Sequence, residues 1–322
     1  MRLTIIGCGL IGSKRAVAAA AHEIVAVCDP DPERRERLAH QTSSRAIADW
    51  REAIGLDADA VVIATPHDQL AQIALVAVEA GRHVLVEKPA GRRPEEVAPL
   101  VAAAAKRGRI VKVGFNHRFH PAIARAKALA HDGAIGPLFF VRGRYGHGGR
   151  LGYEKEWRFE REISGGGELI DQGSHLIDLS RWFLGDLTLA YGAVPSYFWP
   201  AQVEDNCFIA LAGEHKRMAW LHASWTEWKN QFVFEIMGRD GKLTIEGLGG
   251  SYGTERLTHH RMLPQMGPPE TTIWEFPFPD RSFTDEFENF VAAVEGRAQA
   301  IGDISDAYAN LSIVQAVYDR AQ

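Results

Sequence analysis

Short apolar runs alternate with amphipathic stretches over the first third of the chain. Residues 3–6, 24–28, 60–64, 83–86 and 110–115 are almost continuously hydrophobic, which is the pattern of parallel strands buried on both faces. Between them lie segments rich in Ala, Arg and Glu, among them 32–39 and 70–80, the second followed by Gly81 as a helix stop. Strand, helix, strand repeated in this way predicts a doubly wound α/β domain, a parallel sheet with helices on both faces.

After Pro121 the texture changes. A helix over 122–131 gives way to longer strand patterns, including 138–144 and 231–237. A helical pattern over 168–184 is preceded by Ser164 and Gly165-Gly166-Gly167 and closed by Gly185. Residues 249–269, rich in Gly, Pro and His, read as a surface loop, and two amphipathic helices follow over 284–295 and 305–320, with Thr284 and Ser305 as N-caps. The expected organisation is a Rossmann domain over 1–121 and an α+β domain with a large open, mainly antiparallel sheet over 122–322.

Composition narrows the classes. With 322 residues, 46% of them hydrophobic and 24% charged, the chain is long enough for two cores. Its net charge is −5, and the basic residues are scattered rather than gathered in a stripe, so no nucleic-acid partner is expected. No apolar run approaches the roughly 18 residues of a membrane-spanning helix, so no membrane partner is expected either. Strand-like sequence from Arg2 onward leaves no place for a signal peptide, and Cys8, Cys28 and Cys207 form no Cys-x-x-Cys pair; the expected location is a reducing cytoplasm.

The first strand runs directly into Gly7-Cys8-Gly9-Leu10-Ile11-Gly12, which opens an Ala-rich helix. Gly7 permits a tight turn, Gly9 lets a pyrophosphate approach the backbone, and Gly12 lets helix and strand pack. The motif alone is equally a plain strand-to-helix connection. Its context carries the reading, because Asp29 ends the second strand about 20 residues on, where a carboxylate bonds the adenosine ribose. A carboxylate there repels a 2′-phosphate, which favours NAD; Arg34 and Arg35 keep NADP as the alternative.

Four stretches together, Gly7 to Gly12, Thr65-Pro66, Gly81-Arg82-His83-Val84-Leu85-Val86-Glu87-Lys88-Pro89, and the Gly165 to Asp178 segment with Asp171 and His175, resemble the glucose-fructose oxidoreductase, inositol dehydrogenase and rhizopine-catabolism (Gfo/Idh/MocA) family. The resemblance implies a second domain whose sheet often serves as an oligomer interface, hence a homodimer or homotetramer, and a nicotinamide held between domains. It implies hydride transfer at a secondary carbinol of a sugar, a sugar derivative (phosphate, uronate or nucleotide sugar) or a cyclitol. It also assigns Leu10, Ile11, Thr65, Pro66, His67, Glu87 and Lys88 to the cofactor side. The chain departs from many members in carrying Leu70 where they have a histidine, with His67 nearer the turn.

Removing a hydride from a carbinol needs a group to take the hydroxyl proton and a cation or donor to stabilise charge growing on oxygen. His175 and Lys88 suit those roles, and Asp171, four residues before His175 on the expected helix, orients the imidazole or bonds a substrate hydroxyl. By type alone, a lysine at a strand end is ordinarily a solvated charge and a helical histidine ordinarily structural; the family motif makes Lys88, Asp171 and His175 the catalytic candidates. Pro89 restricts the Lys88 backbone and admits a cis bond. Asp178 reads as structural. Tyr145, His147, Arg150, Tyr153, Trp157 and Arg158 crowd one stretch and read as a substrate loop, with Arg118 at the domain junction beside them; the three arginines lean toward an anionic sugar. His117 and His120 lack an evident third ligand, so no metal is expected. Two rival functions remain: a lyase, epimerase or glycosidase that oxidises transiently with retained NAD, and a non-catalytic sensor on the same fold.

Overall fold

The chain's computed structural model describes residues 1–321. Six strands, β1 (Arg2–Ile6), β2 (Glu23–Cys28), β3 (Arg45–Ile47), β4 (Ala60–Ile63), β5 (His83–Val86) and β6 (Val111–Val113), form one sheet in the order β3-β2-β1-β4-β5-β6 with every pairing parallel. Helices α1 (Leu10–Ala18), α2 (Pro32–Thr42), α3 (Trp50–Gly55), α4 (His67–Glu79) and α5 (Pro94–Arg107) connect them. The strand order reverses at β1, and register aligns Ile6 with both Cys28 and Ile63, and Ile63 with Val86. Gly7, Asp29, Ala64 and Glu87 therefore leave the sheet at one edge, the carboxyl end where open α/β sheets bind ligands.

By contact the chain divides into two compact units, residues 1–116 with 283–311, and 117–282 with the segment from Ser312 on. A single cut between 121 and 122 leaves 283–311 with the second part; in the structure this segment packs with the first unit. The reason is apolar. Helix α6 (Pro121–His131), α7 (Arg161–Ser164) and α8 (Ser174–Leu184) precede α9 (Ser282–Val294), whose Phe287, Phe290 and Val291 are buried in one cluster with Leu3, Ile5, Val27, Val62 and Leu85. Helix α10 (Ile304–Ala321) begins behind Asp303, whose Oδ1 accepts from the Ser305 and Asp306 amides, so Asp303 rather than Ser305 caps it; Thr284 lies inside α9 and is no cap.

The second unit is built on eight strands: β7 (Leu138–Gly146), β8 (Leu187–Ala193), β9 (Asn206–Gly213), β10 (Met218–Ser224), β11 (Gln231–Gly238), β12 (Gly241–Glu246), β13 (Glu255–Arg261) and β14 (Glu270–Phe276). Their order is β14-β13-β12-β11-β7-β10-β9-β8, antiparallel throughout except for β7 with β10. Gly143 of β7 has no side chain where Leu176 of α8 comes down on the sheet; a Cβ there would stand 3.0 Å from Leu176 Cδ2 and 3.1 Å from Leu221 Cδ2. Two sequence expectations are corrected here. The helix expected over 168–184 is a π-helical turn, Leu169–Gly173, followed by α8. The loop expected over 249–269 contains β13, because Leu257 is a core residue and Glu255 is buried, its carboxylate accepting from the Ala122 amide at 2.7 Å and bonding the His120 ring at 3.0 Å.

Candidate active site

The candidate residues fall in both units. In the first, the turn after β1 is shaped by its glycines. Gly7 has φ +96° and donates to the Cys28 carbonyl at 2.8 Å, and a Cβ on it would run into the Ala64 carbonyl. A Cβ on Gly12 would run into the Gly7 carbonyl, whereas one on Gly9 would meet nothing within 4 Å. Two glycines are thus demanded by packing, and the third leaves open space before the first N–H groups of α1, a cradle that suits a pyrophosphate. Leu10 stands 75% exposed beside it, and Ile11 is half-buried.

Asp29 is buried; its Oδ2 accepts from the Cys8 amide at 2.8 Å and its Oδ1 from the Asp31 amide at 3.0 Å. A carboxylate offers about four acceptor positions, so capacity for ribose hydroxyls remains. The two arginines behind it are engaged locally: Arg34 pairs with Asp31 at 3.2 Å, and Arg35 donates to the Asp29 and Pro30 carbonyls. Cys8 and Cys28 are no nucleophiles, since burial and then the Asp29 charge push each thiol up to about 12. Thr65 and Pro66 follow β4, Pro66 standing at the N-cap of α4, and His67 begins that helix as a buried residue. These features fit an adenine dinucleotide.

Glu87, expected on the cofactor side, is also the outer member of a buried ion triad. Arg15 is fully buried between Glu87 Oε1 and Glu286 Oε2, each 2.6 Å away. Burial raises the Glu286 carboxyl, and the Arg15 and Lys112 charges oppose that shift. Lys88 follows, half-buried, joined to Pro89 by a cis bond. Arg15 and Glu286 were legible only in part. Arg15 sits three residues past Gly12 beside the exposed Lys14, from which its type does not set it apart, and Glu286 shares the helical face of Phe283, Phe287 and Phe290.

In the second unit the structure gathers His117, Tyr145, Asp171, His175 and Tyr252. The buried rings of His117 and His175 stack, with centroids 3.7 Å apart and planes 22° from parallel. Tyr145 lies 5.3 Å from the His117 ring and 6.3 Å from that of His175. Burial first, then Tyr252 and Asp171, push the Tyr145 phenol well up, so it stays protonated at neutral pH. Tyr252, from within the expected surface loop, stands 5.2 Å from Tyr145 and accepts from Gln172 Nε2 at 3.2 Å. Tyr252 and Gln172 escape a reading of the sequence because neither type is distinctive and the loop assignment hides one of them. The π turn carries Asp171 and is held from behind by buried Glu204, which accepts from the Gly167 amide at 3.0 Å, the Leu169 amide at 3.2 Å and the Tyr318 hydroxyl at 2.7 Å.

The loop from His147 to Arg158 separates into two kinds of residue. His147 is held neutral by burial, against the raising influence of Asp171, and its Nδ1 accepts from the Gly149 amide at 2.9 Å, leaving the proton on Nε2. Arg158 pairs with Asp171 and with Glu156, each at 3.5 Å, and lies over the Trp157 ring; Arg150 pairs with the same Glu156. Tyr153 meets the His147 ring edge to face, with centroids 5.5 Å apart, and the Arg150 guanidinium lies over it. Tyr153 is buried in a cluster with Phe159, Trp199, Val203 and Trp225. Arg118 is buried, and its Nε and Nη2 donate to Asp178 at 2.9 and 2.7 Å. Among the described residues no trio of His, Cys, Asp or Glu is arranged as a metal site, and no helix is long and apolar enough to cross a membrane.

Comparison with known proteins bears on the family and the fold. A family model described as "Oxidoreductase family, NAD-binding Rossmann fold" matches residues 1–115, and the Gfo/Idh/MocA C-terminal domain model matches residues 123–244. Levoglucosan dehydrogenase of Pseudarthrobacter phenanthrenivorans is 33% identical over 218 residues, 62% of this chain and 55% of that protein. D-glucoside 3-dehydrogenase of Escherichia coli is 25% identical over 347 residues, 100% of this chain and 95% of that protein. A solved levoglucosan dehydrogenase in complex with NADH superposes with a TM-score of 0.90 at 24% identity, covering 100% of this chain and 96% of that one, a likeness of fold.

Proposed function

The chain belongs to the Gfo/Idh/MocA family of oxidoreductases, with its NAD-binding Rossmann fold, and from that premise we propose that it is an NAD-dependent dehydrogenase acting on a secondary carbinol of an uncharged sugar, glycoside or cyclitol. NAD, when bound, supplies the acceptor for the hydride. The glycine turn and Asp29 hold its pyrophosphate and ribose. His175 takes the proton from the reacting hydroxyl, with Asp171 orienting it or holding a neighbouring hydroxyl. Lys88 is the cation that stabilises negative charge on the oxygen as the hydride leaves. Tyr145, His147 with its Nε2–H, and Asp171 offer a mixture of donors and acceptors, which suits several hydroxyls in fixed orientation.

The observation that carries the choice of an uncharged substrate is the pairing of Arg150 and Arg158 with Glu156 and Asp171. Two cations and two carboxylates cancel, and Arg118 is closed on Asp178. The anionic preference suggested by counting arginines therefore loses its support. The names of the relatives, a levoglucosan dehydrogenase and a D-glucoside 3-dehydrogenase, agree with an uncharged ring. The test is NAD reduction with matched neutral and phosphorylated sugars. Turnover of a neutral sugar, with kcat/KM at least about tenfold (~1.4 kcal/mol) above that of its phosphate, is expected. Preference for the phosphate would sink the assignment.

A further inference from the structure

Next to the His147 turn, two large aromatic side chains stand in solvent. Trp228 is 63% exposed and Phe198 is 58% exposed, and their rings meet edge to face with centroids 4.8 Å apart. Isolated exposed hydrophobics are ordinary, but these two form a paired surface on loops that are fastened in place.

The fastening is specific. Asp205, wholly buried, accepts from three successive amides, Tyr197 at 2.9 Å, Phe198 at 2.7 Å and Trp199 at 3.0 Å. The Trp199 indole in turn donates to the Trp225 carbonyl at 3.0 Å. Trp228 itself has φ +56°, a left-handed conformation that a bulky residue adopts at a cost. The His147 turn presses directly against it. A Cβ on Gly148 would lie 3.0 Å from Trp228 Cα and 3.2 Å from its Cε3, so a larger residue there would press on Trp228. The His147 amide donates to the Ser224 carbonyl at 2.9 Å, and the Glu227 amide to the His147 carbonyl at 3.3 Å, which ties the two segments together. His147 in turn lies within the electrostatic reach of Asp171.

We propose that Trp228 and Phe198 form a stacking subsite for a second ring, so that the physiological substrate is a glycoside whose aglycone or next sugar lies on this pair while its oxidised ring is held by His147, Asp171 and His175. The inference rests on the sugar-oxidising reading above. A rigid, exposed aromatic face next to a polar ring-binding group matches the two-sided character of a sugar or aryl ring, whose C–H faces lose water on an aromatic surface while its hydroxyls stay wet. Stacking tolerates different rings, because it needs a flat apolar face and no particular hydroxyl pattern. The subsite therefore selects for the presence of a second ring more than for its identity.

The test uses the full-length protein with methyl β-D-glucoside and 4-nitrophenyl β-D-glucoside, and the galactose pair alongside. Steady-state NAD reduction is measured together with saturation-transfer NMR of the ligand protons. In the wild type the nitrophenyl glycoside should show a KM about tenfold (~1.4 kcal/mol) below that of the methyl glycoside. Trp228→Gly, which suits the left-handed backbone, and Phe198→Ala should remove that advantage while changing the methyl glycoside's KM less than twofold. Equal KM values in the wild type, or equal losses for both glycosides in the variants, overturn the subsite. A change in oligomeric state of Trp228→Gly by sedimentation with both KM values intact overturns it as well, and assigns the pair to a subunit contact. If no sugar is oxidised but the nitrophenyl protons are saturated in the wild type and not in Trp228→Gly, the subsite stands and the dehydrogenase reading falls. If sugars are oxidised without any aglycone preference, the dehydrogenase reading stands and the subsite falls.

Discussion

Asp29 shows how much a single side chain decides. Its carboxylate closes the glycine turn through the Cys8 amide and leaves acceptor capacity outward. Asp29→Ala should raise the KM for NAD by about tenfold or more and move the NAD to NADP ratio of kcat/KM toward NADP, because the repulsion of a 2′-phosphate is gone while Arg34 and Arg35 remain; initial rates with both cofactors check this. His175→Ala should lower kcat by about 10²–10⁴ with little change in melting temperature, since the loss is one of proton transfer. Glu286→Ala belongs to a different class. It strands one side of the fully buried Arg15 and should cost about 3–5 kcal/mol in a denaturant titration. At this scale position was legible where type and spacing coincide: Gly7, Asp29 and Lys88 stand just beyond the carboxyl ends of β1, β2 and β5. It was opaque where a common residue acquires its role from burial. Tyr252 and Gln172 have nothing in the chain to mark them, and Tyr153 joins a buried aromatic cluster while its ring meets that of His147.

At the scale of elements, five strands of the parallel sheet were readable because burial on both faces leaves uninterrupted hydrophobic runs, whereas the three-residue edge strand β3, with Arg45 exposed, leaves none. The antiparallel sheet was harder. Strand β13 alternates Leu257 and His259 with exposed or polar neighbours, and its His-rich sequence between Gly- and Pro-rich flanks looks like a loop until Glu255 is seen to anchor α6. The π turn at Leu169–Gly173 has no periodicity signal, since one extra residue in a turn leaves the flanking helical pattern intact. The segment that Asp205 fastens gives a pH prediction. Burial pushes the Asp205 carboxyl up, but bonds from Asn206 and from the Phe198, Trp199 and Tyr197 amides outweigh it, so its pKa lies below the ordinary value of 3.8. A depressed carboxylate contributes stability that is present above the unfolded value and lost as pH falls through the folded one. The loop should therefore hold from neutral pH down to about 4 and loosen only in stronger acid. Tryptophan fluorescence of the wild type against Asp205→Asn follows this: the wild type should change only in the acid limb, and the variant should already be loosened at pH 7.

For the whole molecule, the return of 283–311 to the first unit is the feature that a linear reading of domains misses. The amphipathic pattern of α9 announces a buried face without saying which core takes it, and Phe287 and Phe290 complete the cluster around β1, β2, β4 and β5. Truncation before α9 should accordingly expose the first unit's core and abolish its folding, which limited proteolysis and circular dichroism of the shortened chain would register. Binding of NADH should stabilise the intact chain by about 2.7 kcal/mol at a hundredfold excess over Kd, seen as a concentration-dependent rise in Tm. The most direct test of the central claim is absorbance at the reduced-nicotinamide band, with NAD and a panel of neutral sugars, glycosides, cyclitols and sugar phosphates, on the wild type and on His175→Ala. Sustained reduction of NAD by a neutral ring, lost in the variant, is the predicted result; no reduction by any substrate, with NAD carried through purification on the protein, would contradict it and favour redox chemistry that returns its hydride within one turnover.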